Sequence, residues 1–377
     1  MSVTFITQPR RILVRGVNWL GDAVMTTSAL ARLREKFPAA HITLLTPEKL
    51  KDVWLDHPAV NETISFAPGE NVFSVGKKLR AGKFDLALVL PNSPRSALEV
   101  FLAGIPRRIG YGRPWRNLFL TQAVAPRANA IGMRKRPAGE IKNLISENPK
   151  SEIRNSQFPG SAHQIHEYLH LAAALGANAE PLAPQLTVTP AEVAAAKKKF
   201  GLEKIDGPIT GLNPGAEYGP AKRWPVEKFI AAAKEIQQRT NCTWLLFGGK
   251  NDQPLTAQIE SAIGNRQSAA NLAGQTSLRD LMSLLKLCRV LLTNDTGPMH
   301  VAAALGTPVV VPFGSTSPEL TGPGLPGDVR HQLLKSDAPC SPCFLRDCPI
   351  DFRCLNGISV ERVVEAVLEA INQQESR

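Results

Sequence analysis

The sequence lacks any apolar run long enough to cross a bilayer as a helix. It also lacks a signal-peptide core, because Met1 to Thr4 lead directly into a strand pattern, and we therefore expect a cytoplasmic protein. Acidic residues are fewer than basic ones, 33 against 44, which gives a net charge of +11. No nucleic-acid recognition motif accompanies this charge, so we expect no nucleic-acid partner. A solvated basic surface and attraction to an anionic lipid surface remain as explanations.

The first glycine-rich segment lacks the lysine of a nucleotide-binding P-loop. Gly16 and Gly21 have the P-loop spacing, but Asp22 stands at the lysine position, where its carboxylate would repel a phosphate. Asp22 begins a helix that we predict to end at Phe37, so one interpretation is a helix cap. The favoured interpretation is a general base, because the glycine-rich approach lets a substrate come near the backbone.

Cysteine is scarce outside one segment. Six cysteines are present, and four have the spacing Cys340-x2-Cys343-x4-Cys348-x5-Cys354. In a cytoplasmic protein this clustering favours a metal site or free thiols over disulfides. The spacing is compatible with a structural zinc or an iron–sulfur cluster, yet the paired C-x2-C knuckles of a zinc ribbon are missing. Reduced thiols are the preferred interpretation.

Strand and helix patterns alternate along both halves of the chain, which is typical of βαβ units with parallel sheets. We predict two α/β domains, residues 1–180 and 181–358, followed by a C-terminal helix at 359–377. Ligands in such folds bind outside the carboxyl ends of the strands. The predicted strands include Arg11–Arg15, His41–Leu45, Phe84–Leu90, 208–212 and Thr243–Phe247.

Residues 126–164 interrupt this alternation. The stretch is polar, contains Arg134-Lys135-Arg136-Pro137 and has no sustained periodicity. We predict a flexible insertion within the first domain, after which a helix from His163 to Leu175 resumes the pattern.

The strongest functional pattern is a strand, turn, helix and second strand between Arg289 and Gly314. Pro298 lies just inside the predicted helix start and Gly306 just past its end, which is the expected polarity of caps. A helix start at the carboxyl end of a strand presents free N–H groups and a positive dipole end to an anion such as phosphate. His300 is either a satisfied helix histidine or a ligand of a phosphate or leaving group. The polar residues at this edge are Asn294, Asp295, Thr296, Gly297 and His300.

Two further loops follow predicted strands in the second half. The loop from Asn213 to Pro225 contains Gly215 and the cations Lys222 and Arg223 near a helix start, where phosphates would gather. An exposed basic loop is the alternative interpretation. The loop from Gly248 to Asp252 is a candidate for holding a ribose or a base.

One basic patch stands out in the first half. It contains Arg107, Arg108, Arg113, Tyr111, Trp115 and Arg116. We predict that the patch meets an anionic lipid surface, with a solvated basic surface as the alternative.

Taken in order, these segments resemble the ADP-heptose:lipopolysaccharide heptosyltransferases, glycosyltransferase family 9, and their heptosyltransferase II branch most of all. The resemblance spans nearly the whole chain, and its ordered combination is more specific than any single piece. It implies a GT-B fold: two Rossmann-like domains with parallel sheets facing a central cleft, the first binding the acceptor and the second the donor. The matching motifs are Trp19-Leu20-Gly21-Asp22, Asn213-Pro214-Gly215-Ala216, Lys222-Arg223-Trp224-Pro225, Asn294-Asp295-Thr296-Gly297-x2-His300 and Phe313-Gly314-Ser315-Thr316-Ser317-Pro318.

The resemblance implies an inverting, metal-independent transfer of L-glycero-D-manno-heptose from ADP-heptose to the inner-core heptose of Kdo-lipid A. Asp22 would be the catalytic base, no cofactor is expected, and the enzyme would be peripheral to the inner membrane. The predicted acceptor-binding residues are Asn18, Trp19, Arg107 and Arg113. The predicted donor-binding residues are Asn213, Gly215, Lys222, Asp252, Asn294, Asp295, Thr296, Gly297 and His300.

Two alternatives share the fold. One is heptosyltransferase I or another family-9 transferase with a different acceptor or donor. The other is a non-catalytic nucleotide-sugar-binding protein, which an Asp22 buried as a cap would favour.

Overall fold

The computed structural model describes residues 8–128, 130–146, 158–264 and 268–375. The strands are β1 (Arg11–Arg15), β2 (His41–Pro47), β3 (Glu62–Phe66), β4 (Leu86–Val89), β5 (Arg107–Tyr111), β6 (Gln122–Val124), β7 (Ile209–Asn213), β8 (Thr243–Leu246), β9 (Ala269–Asn271), β10 (Leu291–Thr293), β11 (Val309–Phe313) and β12 (Gln332–Lys335). The α-helices are α1 (Leu20–Lys36), α2 (Val72–Arg80), α3 (Pro94–Leu102), α4 (Ala138–Ser146), α5 (Ile165–Ala173), α6 (Pro190–Lys199), α7 (Val226–Thr240), α8 (Gln253–Ile263), α9 (Leu278–Leu287), α10 (Gly297–Ala304), α11 (Pro318–Thr321), α12 (Arg353–Asn356) and α13 (Val360–Glu375).

The strands form two six-stranded parallel sheets with the same order. The first sheet runs β3-β2-β1-β4-β5-β6, and the second runs β12-β11-β10-β7-β8-β9. The second order is the first read in reverse, with β7 in the place of β1. In each sheet the order switches between two neighbours, β1 and β4 or β7 and β10, and such folds bind ligands beyond the carboxyl ends at this point. The predicted α/β fold of GT-B type, with two Rossmann-like parallel sheets, is confirmed.

The central strands are buried on both faces, which explains their unbroken apolar runs. Ile12, Leu13 and Val14 of β1 and all of β4 lie in the core of the first sheet. Parallel strands joined by crossover helices are covered on both sides, so no alternation of polar and apolar residues is needed. Within the described part of the chain, no helix is both long and apolar enough to span a membrane.

The chain divides into two compact units whose borders differ from the predicted domains. The first unit contains the residues up to 130 and 164–187, and the second contains 131–163 and the residues from 188 onward. The predicted border lay at 180, within the first unit. The C-terminal helix α13 belongs to the second unit, since Val363 and Val367 are fully buried in the same core as Phe229 of α7.

Part of the segment predicted as an insertion in the first domain packs on the second unit instead. Its helix α4 buries Ile141 against Cys340 and Cys343. The backbone N–H of Arg136, just before this helix, donates to the carbonyl of Cys343 at 3.0 Å. A helix of nine residues is too short to show a sustained period, which is why the sequence pattern missed it. Residues 147–157 lie outside the described residues, and the predicted flexibility stays a prediction.

Candidate active site

Asp22 lies in the first turn of α1, beyond the carboxyl end of β1. The helix begins at Leu20, and its N-cap is Trp19, which makes no side-chain cap hydrogen bond. The Asp22 carboxylate is half-buried, and its Oδ1 accepts hydrogen bonds from Gln164 Nε2 at 2.8 Å and from the Tyr168 hydroxyl at 3.0 Å. Asp22 is therefore neither the N-cap residue nor fully buried, and two side-chain donors orient its carboxylate.

The two donors to Asp22 come from the start of α5 and also contact each other. Gln164 Nε2 lies 2.9 Å from the Tyr168 hydroxyl oxygen. Burial raises the pKa of Tyr168 well above 10, and the negative charge of Asp22 raises it further, so the hydroxyl stays protonated and donates. The sequence interpretation missed both residues. They stand more than 140 positions from Asp22, and only their i, i+4 spacing places them on one helix face.

A buried ion pair supports the loop that leads to Asp22. Arg15 Nε donates to Glu99 Oε2 at 2.9 Å, and both side chains are almost fully buried. Nη1 of the same guanidinium donates to the carbonyl of Gly16 at 2.6 Å and to Asn18 Oδ1 at 3.0 Å. Breaking a buried pair of this kind typically costs about 3–5 kcal/mol of stability. The predicted acceptor residue Asn18 is thus exposed but fixed in orientation.

The structure brings three of the four predicted acceptor residues to the carboxyl edge of the first sheet. Trp19 is exposed there, with Lys49 Nζ 5.3 Å from its ring centroid, and Arg113 follows the carboxyl end of β5. Arg107 is the first residue of β5 and pairs with Leu86, the first residue of β4. Its side chain therefore starts from the opposite edge, and its position does not support a role beside Asp22. The sequence patch grouped Arg107 and Arg113 by proximity along the chain, although a whole strand separates them.

In the second unit, Lys222 and Asp295 form an ion pair beyond the carboxyl end of β10. Lys222 Nζ lies 2.7 Å from Asp295 Oδ2, and Thr316 Oγ1 donates to the same oxygen at 2.5 Å. The ammonium also lies 5.1 Å from the centroid of the Tyr218 ring, within cation–π distance. Asp295 is buried and Lys222 is mostly buried, so the cation has a fixed place at this edge. The sequence had not singled out Tyr218 or Thr316 as site residues.

Two asparagines predicted to bind the donor hold the loops of this edge together. Asn294 is fully buried; its Oδ1 accepts from the backbone N–H of Trp224 at 2.9 Å, and its Nδ2 donates to the carbonyl of Pro214 at 2.7 Å. Asn213 Nδ2 donates to Thr293 Oγ1 at 3.1 Å. These amides are engaged with the protein, so they shape the site by joining its loops.

The helix start predicted to bind an anion forms as expected from its proline. Thr296 is the N-cap of α10 without a side-chain cap bond, and the helix begins at Gly297 with Pro298 in its first turn. Its first N–H groups have no partner within the helix itself. His300 follows in the same turn, and burial lowers its pKa to about 4 although Asp295 raises it. His300 is therefore neutral at pH 7.

Gly215 and Asp252, from two separate predicted loops, are in contact. A Cβ atom at Gly215 would lie 2.5 Å from the carboxylate of Asp252, so this approach requires glycine. Asp252 Oδ2 accepts from the backbone N–H of Gly249 at 2.9 Å, and Oδ1 lies 3.7 Å from Arg223 Nη2. The structure therefore gathers all the predicted donor-site loops at the carboxyl edge of the second sheet.

Comparison with known proteins identifies the family to which this sequence and these two strand edges belong. The family model of glycosyltransferase family 9 (heptosyltransferase) matches residues 72–132 and 123–352. The chain belongs to glycosyltransferase family 9. It is 33% identical over 328 residues to lipopolysaccharide heptosyltransferase 2 of Escherichia coli K12, covering 83% of this chain and 85% of that protein. It is 32% identical over 324 residues to lipooligosaccharide heptosyltransferase 2 of Haemophilus influenzae, with 83% and 85% covered.

A solved structure supports the same assignment. The fold is similar to that of E. coli ADP-heptose lps heptosyltransferase II, with a TM-score of 0.76 and 29% identity over 97% of this chain and 99% of that one. The predicted family and the predicted enzyme class, a heptosyltransferase, are confirmed.

The cysteine-rich segment of this family-9 protein lines a small cavity beside α4. Cys340, Cys343, Cys348 and Cys354 all border it, and all are free thiols. Among the described residues, no group of three or more His, Cys, Asp or Glu side chains is arranged to hold a metal ion. A structural zinc or iron–sulfur cluster at these four cysteines, the alternative to reduced thiols, stays a prediction. A hydrogen bond between two of the thiols lowers the pKa of Cys340 to about 7 and raises that of Cys354.

The same segment also forms hydrogen bonds with the donor-site loops. Ser341 Oγ donates to the carbonyl of Gly314 at 2.7 Å, and the N–H of Phe344 donates to the carbonyl of Ser315 at 2.7 Å. The carbonyl of Phe344 in turn accepts from the Tyr218 hydroxyl at 2.8 Å. Tyr218 is the ring beside Lys222, so the cysteine-rich segment indirectly positions that cation.

Proposed function

We propose that this family-9 protein transfers L-glycero-D-manno-heptose from ADP-heptose to the inner-core heptose of Kdo-lipid A, in the synthesis of the lipopolysaccharide core. The names of its relatives in E. coli and H. influenzae support this substrate class. The observation that carries the proposal is Asp22, a carboxylate oriented by Gln164 and Tyr168 yet still partly exposed at the ligand-binding edge of the first sheet.

Asp22 is the proposed general base. It removes the proton from the acceptor hydroxyl while that oxygen attacks the anomeric carbon of the donor. The new bond forms between the acceptor oxygen and this carbon, and the bond from the carbon to the β-phosphate oxygen breaks, with its electron pair leaving on ADP. Attack from the face opposite the leaving group converts a β-linked donor into an α-linked product, so the reaction is inverting.

The second unit is the proposed donor site. Lys222 meets the diphosphate with a cation already fixed by Asp295, and the N-terminus of α10 adds backbone N–H groups. These groups oppose the negative charge that develops on the leaving diphosphate, as preorganised donors do at other transferase sites. We propose that they replace a divalent cation, and that neutral His300 donates a hydrogen bond rather than a charge. Asp252, beside Gly215, is the proposed ribose contact.

The first unit is the proposed acceptor site, with Asn18, Trp19 and Arg113 around Asp22. Exposed Trp19 offers an apolar face to a sugar ring, and Arg113 offers a cation to acidic groups of the acceptor. Because Kdo-lipid A is anchored in a bilayer, we propose that the enzyme works in the cytoplasm at the surface of the inner membrane.

A transfer assay over a matrix of donors and acceptors tests this function. ADP-heptose, GDP- and UDP-sugars are each paired with Kdo-lipid A carrying no heptose or one heptose, and products are read by mass. We expect transfer only from ADP-heptose to the acceptor that already carries one heptose. Transfer to the heptose-free acceptor would indicate heptosyltransferase I activity, and tight ADP-heptose binding without any transfer would indicate a binding protein.

A further inference from the structure

The first unit exposes two large apolar side chains on one short loop. Trp115 is 80% exposed and Leu118 is 73% exposed, on the connection between β5 and β6. We name residues 112–119 the Trp115 loop. Phe101 of α3 is 44% exposed, and the centroid of its ring lies 5.6 Å from that of Phe119 at the end of this loop. Several exposed apolar side chains on one loop and its neighbouring helix are more typical of an interaction surface than a single exposed residue is.

The Trp115 loop is firmly attached to the sheet. The Arg116 side chain is completely buried; its Nη1 donates to the carbonyl of Tyr111 at 2.6 Å, and its Nη2 donates to the carbonyl of Val89 at 3.2 Å. At the other side of the loop, the N–H of Arg113 donates to Asn117 Oδ1 at 2.9 Å. Trp115, the neighbour of Arg116, is therefore exposed on a loop that these hydrogen bonds hold in place.

The backbone at Trp115 is strained in a way that points its side chain outward. The N–H of Arg116 donates to the carbonyl of Pro114 at 2.7 Å, which closes a three-residue turn centred on Trp115. The φ of Trp115 is +62°, in the left-handed region that bulky residues rarely adopt. Strain of this kind persists where the surrounding structure enforces it, and it is concentrated at functional positions.

Charge around the loop has a single sign. Residues 100–130, the stretch of the first unit around the loop, contain five Arg and no Lys, Asp or Glu. Within the described part of the chain, Arg108, Arg113 and Arg116 form no ion pair with a carboxylate, although ion pairs are common elsewhere. Arg116 is buried, so the exposed cation that the loop presents beside Trp115 and Leu118 is Arg113, with the partly exposed Arg108 on the preceding strand.

We propose that the Trp115 loop docks the first unit on the surface of an anionic phospholipid bilayer. Trp115 and Leu118 enter the interfacial layer, where indole rings are favoured because one end is apolar and the other can hydrogen-bond. Arg113 lies among the lipid phosphates, whose negative potential attracts juxtamembrane cations. The inference rests on the proposed function for the choice of partner, since that function places the acceptor in such a bilayer.

The attachment of the loop links this docking surface to the acceptor edge. Arg116 Nη1 lies 3.4 Å from Asn92 Oδ1, and Asn92 follows the carboxyl end of β4. β4 is the direct neighbour of β1, whose carboxyl end leads to Asp22. Docking through Trp115 therefore presents the edge that carries the proposed base to a bilayer-anchored sugar.

Vesicle binding tests the proposal with the full-length protein. Wild type, the double variant Trp115→Ser/Leu118→Ser and the control Val329→Ser are sedimented with vesicles of phosphatidylethanolamine and phosphatidylglycerol, and separately with pure phosphatidylcholine. Val329 is as exposed as Leu118, at 73%, but lies in the second unit, so it controls for the loss of any exposed apolar group. All three substitutions are at exposed positions and should leave folding intact.

We expect wild type and Val329→Ser to bind the anionic vesicles and to leave them as salt is raised, because the attraction is electrostatic. The double variant should bind at least about tenfold more weakly. Equal vesicle binding by the double variant and wild type would overturn the proposal. So would a wild type that binds no vesicles, or a concentration-dependent dimer that the double variant abolishes, which would make a second copy the partner.

A second readout separates this proposal from the proposed function. Heptose transfer is measured on a deacylated, water-soluble acceptor and on the same acceptor embedded in anionic vesicles. The double variant should keep wild-type transfer to the soluble acceptor and lose at least about tenfold on the embedded one. If wild type binds the vesicles but transfers heptose to neither acceptor, the proposed function is wrong, whereas the proposed docking surface is still supported.

Discussion

The hydroxyl oxygen of Tyr168 and Oδ1 of Asp22 lie 3.0 Å apart, and this hydrogen bond links α5 to the first turn of α1. Tyr168→Phe removes the bond and changes little else in the shape of the side chain. We expect kcat to fall about 10- to 100-fold, because a hydrogen bond to a charged group is typically worth about 1.5–3 kcal/mol. The KM for ADP-heptose should not change, since the donor is assigned to the other unit. Steady-state kinetics with varied donor concentration measure both.

Tyr111→Phe is the matched control for this experiment. Tyr111 is also a buried tyrosine of the first unit, but its hydroxyl donates to the backbone carbonyl of Glu167 at 2.8 Å. Tyr111→Phe should lose about 1 kcal/mol of stability, and Tyr168→Phe, whose partner is charged, up to about 3 kcal/mol. If kcat falls equally in both, Tyr168 has only a structural role and does not position the base.

Lys222→Ala should weaken the binding of ADP and ADP-heptose by about 10- to 100-fold, because a mostly buried cation facing the diphosphate is removed. Lys222→Arg keeps the charge and should recover part of the affinity. Isothermal titration calorimetry with ADP measures the change, and Lys198→Ala, an exposed lysine of the same unit, is the control. If Lys222→Ala binds ADP with unchanged affinity, Lys222 does not contact the donor phosphates.

Acidification should destabilise the protein before its carboxylates are titrated. Burial lowers the pKa of His57, His300 and His331 to about 4 in the folded state, whereas histidines of the unfolded chain titrate near 6.5. The unfolded state therefore binds more protons between these values, and the free energy of unfolding falls as pH drops, by up to about 3 kcal/mol for each histidine. Urea unfolding at pH 6.5 and pH 5 measures this loss. His331→Gln should make the free energy of unfolding depend less steeply on pH. If the free energy of unfolding of wild type is the same at pH 6.5 and pH 5, the histidines are not buried in the neutral form.

Ile141→Ala tests whether the segment around α4 belongs to the second unit. Ile141 is almost fully buried against Cys340 and Cys343, so its truncation should cost about 2–4 kcal/mol of unfolding free energy. The exposed Met133 of the same segment is the control, and Met133→Ala should change stability by less than about 0.5 kcal/mol. Equal, small effects of both substitutions in thermal unfolding would mean that α4 does not pack there.

The sequence predicted what depends on local patterns and missed what depends on distant packing. The unbroken apolar strands and the Pro298 helix start could be predicted from the sequence, since their signals lie within a few residues. The departure from the P-loop at Asp22 likewise appeared as a local conflict between glycine spacing and charge. The two hydrogen-bond donors to Asp22 could not be predicted, because α5 and α1 are far apart along the chain and come together only in the folded protein. Arg107 and Arg113 show the converse: residues near each other along the chain can lie at opposite edges of a sheet.

The proposed transfer is tested most directly by comparing wild type with Asp22→Asn on one-heptose Kdo-lipid A, with product detected by mass and ADP-heptose binding measured in parallel. We predict that wild type adds one heptose, whereas Asp22→Asn binds ADP-heptose with unchanged affinity and forms product at least about a hundredfold more slowly. Turnover by Asp22→Asn at the wild-type rate would contradict the assignment of Asp22 as the base.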